Sequence, residues 1–129
     1  MTNSLGDIQK SKAIIIFGAN PAVNHPVGFQ HFLKAKERNN AQIIVVDPRF
    51  TKTAAKADIF AQVRPGTDIP FIYGMLNIIF ANGWEDKEFI KHRVYGMERI
   101  REEVKKYTPE EVENVVGVPK AQMYRVAKM

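Results

Sequence analysis

Ala13-Ile14-Ile15-Ile16-Phe17-Gly18-Ala19-Asn20-Pro21 and Ile43-Ile44-Val45-Val46-Asp47-Pro48-Arg49 are the stretches that decide the fold. Each is an unbroken apolar run, rich in β-branched residues, that ends abruptly at Gly or at Asp-Pro. Runs without polar alternation suit strands covered on both faces, the condition of a parallel sheet. Between them the period changes. Over residues 26–39, Val27, Phe29, Phe32, Leu33 and Lys36 fall near helical spacing, with Lys34, Glu37 and Arg38 on the other side. Asn39-Asn40 is a suitable stop, because Asn tolerates the left-handed conformation. Strand, helix and strand within about 35 residues make a βαβ unit with a right-handed crossover.

Outward from this unit the chain stays structured. Residues 1–11 are polar, with a short turn or helix start at Asp7-Ile8. Past Asp47 the sequence predicts an Ala-rich turn over 53–57 and a shorter strand over 59–63. Asp68 reads as an N-cap, with Pro70 in the first turn of a helix over 69–82. That helix carries Phe71, Ile72, Met75, Leu76, Ile78, Ile79 and Phe80, which implies burial on more than one face. Gly83 ends it. Helices follow over 85–91, 97–106 and 109–116, the last opened by the capping box Thr108-Pro109-Glu110-Glu111. A final helix starts at Pro119 and reaches Met129 with no stop signal.

The expected fold is therefore α/β: a three-layer α/β/α, Rossmann-like domain with a short, mostly parallel sheet and a helical C-terminal extension. Residues 1–129 read as one domain, with 1–83 its nucleotide-binding α/β part and 84–129 the extension. The length allows a single hydrophobic core.

Composition narrows the function. There is no cysteine, so no disulfide, thiolate metal site or cysteine nucleophile is available from these residues. The net charge of +5 is uneven: residues 1–68 hold nine Lys/Arg against five Asp/Glu, and the remainder holds ten against nine. The positive excess lies in the half with the strand-end loops, which suits an anionic ligand. No apolar stretch approaches the roughly 20 residues that span a bilayer, and the opening residues lack a signal peptide's basic and apolar regions. Neither membrane insertion nor nucleic-acid binding is expected, and the compartment is left open. No Ser-His-Asp order, HExxH or P-loop is present, and no residue reads as a catalytic acid, base or nucleophile.

Three loops carry the functional signal, because the carboxyl ends of parallel strands are where open α/β sheets bind nucleotide-like ligands. In Gly18-Ala19-Asn20, the single Gly permits close backbone approach, and loop N–H groups can receive phosphate oxygens. The same residues also make an ordinary strand-to-helix turn, with Asn20 and Asn24 bonding their own backbone. Asp47 stands where such sheets place an acid on the ribose. It lies 29 residues beyond Gly18, further than the usual interval of about 20, and it equally starts an Asp-Pro turn. Arg49 suits a phosphate or any nearby acid. In Gly66-Thr67-Asp68 the carboxylate can accept two parallel bonds, as from guanine N1–H and the N2 amine, or simply cap the helix. Asp58 is expected to pair with Lys52 or Lys56.

Taken in order, Gly18-Ala19-Asn20-Pro21, His25-Pro26-Val27-Gly28, Val45-Val46-Asp47-Pro48-Arg49, Thr51-x-Thr53-Ala54-x-x-Ala57-Asp58 and Arg64-Pro65-Gly66-Thr67-Asp68 resemble the molybdopterin oxidoreductase family. Within it they look most like the formate dehydrogenase catalytic subunits, as do Met1-Thr2-Asn3-Ser4 and Asp7-Ile8. The resemblance runs along nearly the whole chain. It implies that these loops grip one guanosine end of a bis(molybdopterin guanine dinucleotide) molybdenum cofactor. Gly18, Ala19, Asn20 and Asn24 would face the pyrophosphate and nucleoside. Asp47, Pro48, Arg49 and Thr51 would hold the ribose and phosphate side. Gly66, Thr67 and Asp68 would meet the guanine and ribose. It further implies a longer parent that oxidises formate, with the rest of the catalytic subunit, an iron–sulfur cluster outside this segment, and electron-transfer subunits as partners. The family's molybdenum-binding Cys or selenocysteine and its His-Arg pair are absent here, so no activity is expected of the chain alone. A sister enzyme such as a nitrate or polysulfide reductase, or a free-standing nucleotide-binding module, are the alternatives.

Overall fold

The β-branched runs form the strands that their composition demands. In a computed structural model that describes residues 3–129, β1 spans Ala13–Phe17, β2 Gln42–Val46 and β3 Ile59–Ala61. Met1 and Thr2 of the opening motif lie outside the described residues. The sheet order is β1-β2-β3 and both pairings are parallel, with Phe17 opposite Val46 and Val46 opposite Ala61. The chain divides into two compact units, Met1–Gln62 and Val63–Met129.

In the first unit, α2 spans Pro26–Asn39 and stops at Asn40, whose φ of 51° is left-handed. Ile43 and Val45 project from one face of β2 and pack with Ile16 and Ala54, against which Ile14, Phe32, Ala57 and Phe60 also lie. Ile44 and Val46, on the opposite face by strand alternation, are buried too. The N-terminal 3₁₀ turn, Leu5–Lys10, is fastened to α2 by Gln9 and His31, whose Nε2 and Nδ1 lie 2.7 Å apart, and by Asn39, which donates to the Gln9 carbonyl.

Three local expectations change. A single helical turn, α1, forms over Pro21–Asn24, where the sequence reads as a loop. Pro21 presets the helical φ, and the Asn20 carbonyl accepts from Val23 and Asn24. β3 ends at Ala61 and not at 63, since the backbone N–H of Arg64 turns to the Val116 carbonyl and Pro65 has none to offer. Asp58 pairs with Lys36 on α2 at 2.7 Å, not with Lys52 or Lys56, and accepts from the Ile43 N–H at 2.8 Å. Burial pushes the Asp58 carboxyl up. The Ile43 N–H and the Lys36 ammonium outweigh it and hold the group below its ordinary value.

The second unit is helical: α3 Asp68–Asn82, α4 Lys87–Arg93, α5 Met97–Val104, α6 Pro109–Val116 and α7 Lys120–Lys128. α3 is the centre against which α5, α6 and α7 pack. Phe71 and Ile78 on α3 are fully buried, as are Met123 on α7 and Val116 on α6. Gly74 allows α6 to come close. A Cβ there would stand 2.9 Å from a Val112 methyl. The capping box forms as expected, with Thr108 and Glu111 bonding each other reciprocally. α4 starts two residues later than the spacing suggests because Asp86 is its cap, accepting from Phe89 at 2.9 Å.

Glu85 is thereby left to face Arg101. The Arg101 Nη2 donates to Glu85 Oε1 at 2.9 Å, and the guanidinium lies 4.4 Å from the Phe80 ring centre. The Glu85 side chain is only 7% exposed, and its Oε2 is buried with no partner among the described residues. The Arg101 hydrogen bond, aided by Glu85's own backbone N–H, holds the carboxyl below the ordinary glutamate range. A depressed folded pKa contributes stability above the unfolded value of about 4.3, which is lost as pH falls through the folded value. Arg101→Met is therefore expected to lower the melting temperature at pH 7 and to cost less at low pH, once the pH has fallen through the folded value and Glu85 has taken up its proton. An equal loss at both pH values, measured by circular dichroism, would mean that packing on Phe80 is the main contribution.

Candidate functional site

Because β1 and β2 are parallel neighbours, the segments that follow them leave the same edge of the sheet. The first begins at Gly18, with a φ of 56° and nothing within 4 Å of where a Cβ would stand. Its N–H donates to the Val46 carbonyl at 2.9 Å, which stitches the start of this loop to the end of β2. The backbone N–H groups of Ala19 and Asn20 have no acceptor among the described residues. Asn20 does not bond its own backbone through its side chain. Its Oδ1 accepts instead from the Thr53 hydroxyl at 2.8 Å and from the Thr53 N–H at 3.3 Å. The amide nitrogen then keeps two donors that meet no acceptor among the described residues. Asn24 ends α1 with an exposed side chain.

The second loop folds around Asp47. This residue is 5% exposed, and its Oδ1 accepts from the Arg49 N–H at 2.7 Å. The Asp-Pro turn is thus real, and it occupies one carboxylate oxygen. The other makes no hydrogen bond among the described residues. Pro48 contributes its carbonyl, which accepts from Gln62 Nε2 at 3.0 Å. The Arg49 side chain is exposed and has no acid or carbonyl partner among the described residues. Thr51 accepts from the Ala54 N–H at 3.1 Å, which leaves its hydroxyl proton to donate elsewhere. The two loops at this edge therefore carry a guanidinium, a primary amide nitrogen, a hydroxyl proton, two backbone N–H groups and one carboxylate oxygen that meet no partner among the described residues. Such a donor-rich set suits an anionic ligand that also carries hydroxyl donors.

The third loop, Gly66-Thr67-Asp68, belongs to the second unit. Gly66 takes a φ of 79° with open space at its missing Cβ. The N-cap is Thr67 and not Asp68: Phe71 N donates to the Thr67 carbonyl, and Asp68 already has the first helical position. The Thr67 hydroxyl does not cap either. It donates back to the Arg64 carbonyl at 2.7 Å. Asp68 is left exposed, with no hydrogen-bond or ion-pair partner among the described residues. Arg64 is committed to structure, its Nη1 donating to the Asn114 and Val115 carbonyls at the end of α6.

A molybdopterin oxidoreductase family model matches residues 1–124. The chain belongs to that family. Among curated relatives, the F420-dependent formate dehydrogenase subunit alpha of Methanocaldococcus jannaschii is 43% identical over 129 residues, which is all of this chain and 19% of the relative. Formate dehydrogenase H of Escherichia coli is 37% identical over 129 residues and is covered to 18%. The nitrate-inducible formate dehydrogenase major subunit of the same organism is 32% identical, also over the whole chain. The chain thus spans about a fifth of these relatives. Among solved structures, acetylene hydratase from Pelobacter acetylenicus matches with a TM-score of 0.83 and 32% identity, over 91% of this chain and 16% of that one. The family implies a molybdenum–pterin cofactor.

Sequence reading singled out each loop but missed how the first two are joined. Thr53 is completely buried, and its Oγ1 also accepts from the Ala22 N–H at 3.0 Å. The only hint was its place in the Thr51-x-Thr53 motif. A threonine in an Ala-rich turn has no local feature that points across 31 residues. No group of three or more His, Cys, Asp or Glu among the described residues could hold a metal ion, and no helix there is long and apolar enough to cross a membrane.

Proposed function

We propose that this chain is the stretch of a formate dehydrogenase catalytic subunit that holds a guanosine dinucleotide end of a bis(molybdopterin guanine dinucleotide) cofactor. The observation that carries the reading is the edge of the parallel sheet. Arg49, the Asn20 amide and the Ala19 and Asn20 N–H groups lie on the two loops that leave this edge and have no protein acceptors among the described residues. Gly18, Ala19, Asn20 and Asn24 take the pyrophosphate and nucleoside, and Arg49 and Thr51 the phosphate side. Asp47, shaped by Pro48, uses its spare oxygen on a ribose hydroxyl. Gly66 and Thr67 present Asp68 to the guanine. The cofactor supplies molybdenum redox chemistry when bound, and these residues bind and orient it. Formate oxidation, the iron–sulfur cluster and the electron-transfer partners belong to the rest of the parent.

A cofactor-holding role also explains the breadth of the similarity. The chain is 43%, 37% and 32% identical to three formate dehydrogenases and 32% identical to an acetylene hydratase. A stretch shared by enzymes of different names is expected to carry what they have in common, not the choice of reaction. That sharing supports a parent among the sister reductases as the second reading, behind formate dehydrogenase. Titrating the chain with GMP, GDP and NAD tests the holding role. Guanine nucleotides should bind more tightly than NAD. Tight NAD binding without guanine preference would defeat the assignment and favour a generic nucleotide module.

A further inference from the structure

The geometry points to Thr53 as a positioning residue that locks the first loop to the second before any nucleotide arrives. Its hydroxyl is used in both directions, donating to Asn20 Oδ1 at 2.8 Å and accepting from the Ala22 N–H at 3.0 Å. Its backbone N–H adds a third bond to the same Oδ1 at 3.3 Å. The side chain is fully buried, so water does not compete for these bonds, and losing the hydroxyl leaves Ala22 N–H without its acceptor. Thr53 stands two residues beyond Thr51, in the segment that continues from Asp47 and Arg49. Asn20 stands two beyond Gly18. The latch thus ties together the groups that face the ligand edge, and it turns the Asn20 amide so that its carbonyl oxygen is spent inward and its N–H donors remain. Thr53 itself is completely buried and has given its hydroxyl proton to Asn20, so it has no donor left for a ligand. It acts through Asn20 and the loop backbone, holding donors in register so that the ligand does not pay for ordering them.

This inference rests on the nucleotide-holding reading, and the two can fail separately. The full chain is compared with Thr53→Val, which keeps the shape and removes the hydroxyl, and Thr53→Ser, which restores it. By NMR amide exchange, Ala22 N–H is expected to be protected in the parent chain and in Thr53→Ser, and to exchange about tenfold faster in Thr53→Val. GDP should bind about tenfold more weakly to Thr53→Val, with Thr53→Ser close to the parent chain. Ile43→Val, at the far end of β2, controls for general loosening and should keep its GDP affinity. The inference is overturned if Thr53→Ser behaves like Thr53→Val, since the methyl packing would then be what matters. It is overturned equally if Ala22 exchange or GDP affinity is unchanged in Thr53→Val. Failure of the parent chain to bind GDP defeats the nucleotide reading alone, and Ala22 exchange then decides the latch.

Discussion

Asp68→Ala is expected to weaken GDP binding by about ten- to a hundredfold while moving the melting temperature little. A hydrogen bond to a charged group contributes about 1.5–3 kcal/mol, and each 1.4 kcal/mol is roughly a factor of ten in affinity. The stability side is small because Asp68 caps nothing. Thr67 is the cap residue, and the exposed carboxylate touches only the field of the α3 N-terminus, typically about 0.3–1 kcal/mol at a surface position. The chemistry can be read more sharply with IDP, whose base lacks the exocyclic N2 amine. A carboxylate that accepts from both N1–H and that amine should prefer GDP to IDP, and the preference should vanish in Asp68→Ala. Melting temperature and affinity falling together, with the base preference intact, would assign Asp68 to the fold.

Gly74→Val should destabilise the second unit. A Cβ at this position lies 2.9, 3.0 and 3.2 Å from three Val112 side-chain carbons, and Val112 is 2% exposed. Replacing Gly in a helix normally gains up to about 1 kcal/mol, less for a β-branched residue. Forcing methyl groups into a closed contact costs about 1–3 kcal/mol, occasionally more. The clash therefore exceeds the gain, and the melting temperature should fall. Val112→Ala should recover part of the loss when combined with Gly74→Val, since the two residues share one contact and their effects cannot add. If the double variant melts as low as the sum of the singles predicts, α3 and α6 do not meet as described.

The strands and helices were legible because each rests on a local pattern. The β-branched runs at 13–17 and 43–46 have no helical reading, and Asn40 and Gly83 stop their helices with positive φ as their types suggest. What was not legible depends on partners far along the chain. Asp58 chose Lys36 over nearer lysines because α2 brings that ammonium beside β2 and β3. Thr67 displaced Asp68 as cap because the turn from Arg64 fixes where the helix begins. The candidate site divides in the same way. Residue types pointed to a donor-rich edge suited to an anion, whereas the assignment of each atom, with Asn20 Oδ1 spent on Thr53 and Asp47 Oδ1 on Arg49, followed only from the fold.

Arg64, which opens the third loop, is fastened to the Asn114 and Val115 carbonyls, 50 and 51 residues away, and its backbone to Val116. The last turn of α6 is therefore a bracket for the segment that presents Asp68. A protein trimmed before Pro109 would keep every residue of all three loops and lose the brace of one. α6, empty of recognisable chemistry, thus helps to set the aim of a carboxylate that no side chain among the described residues holds directly.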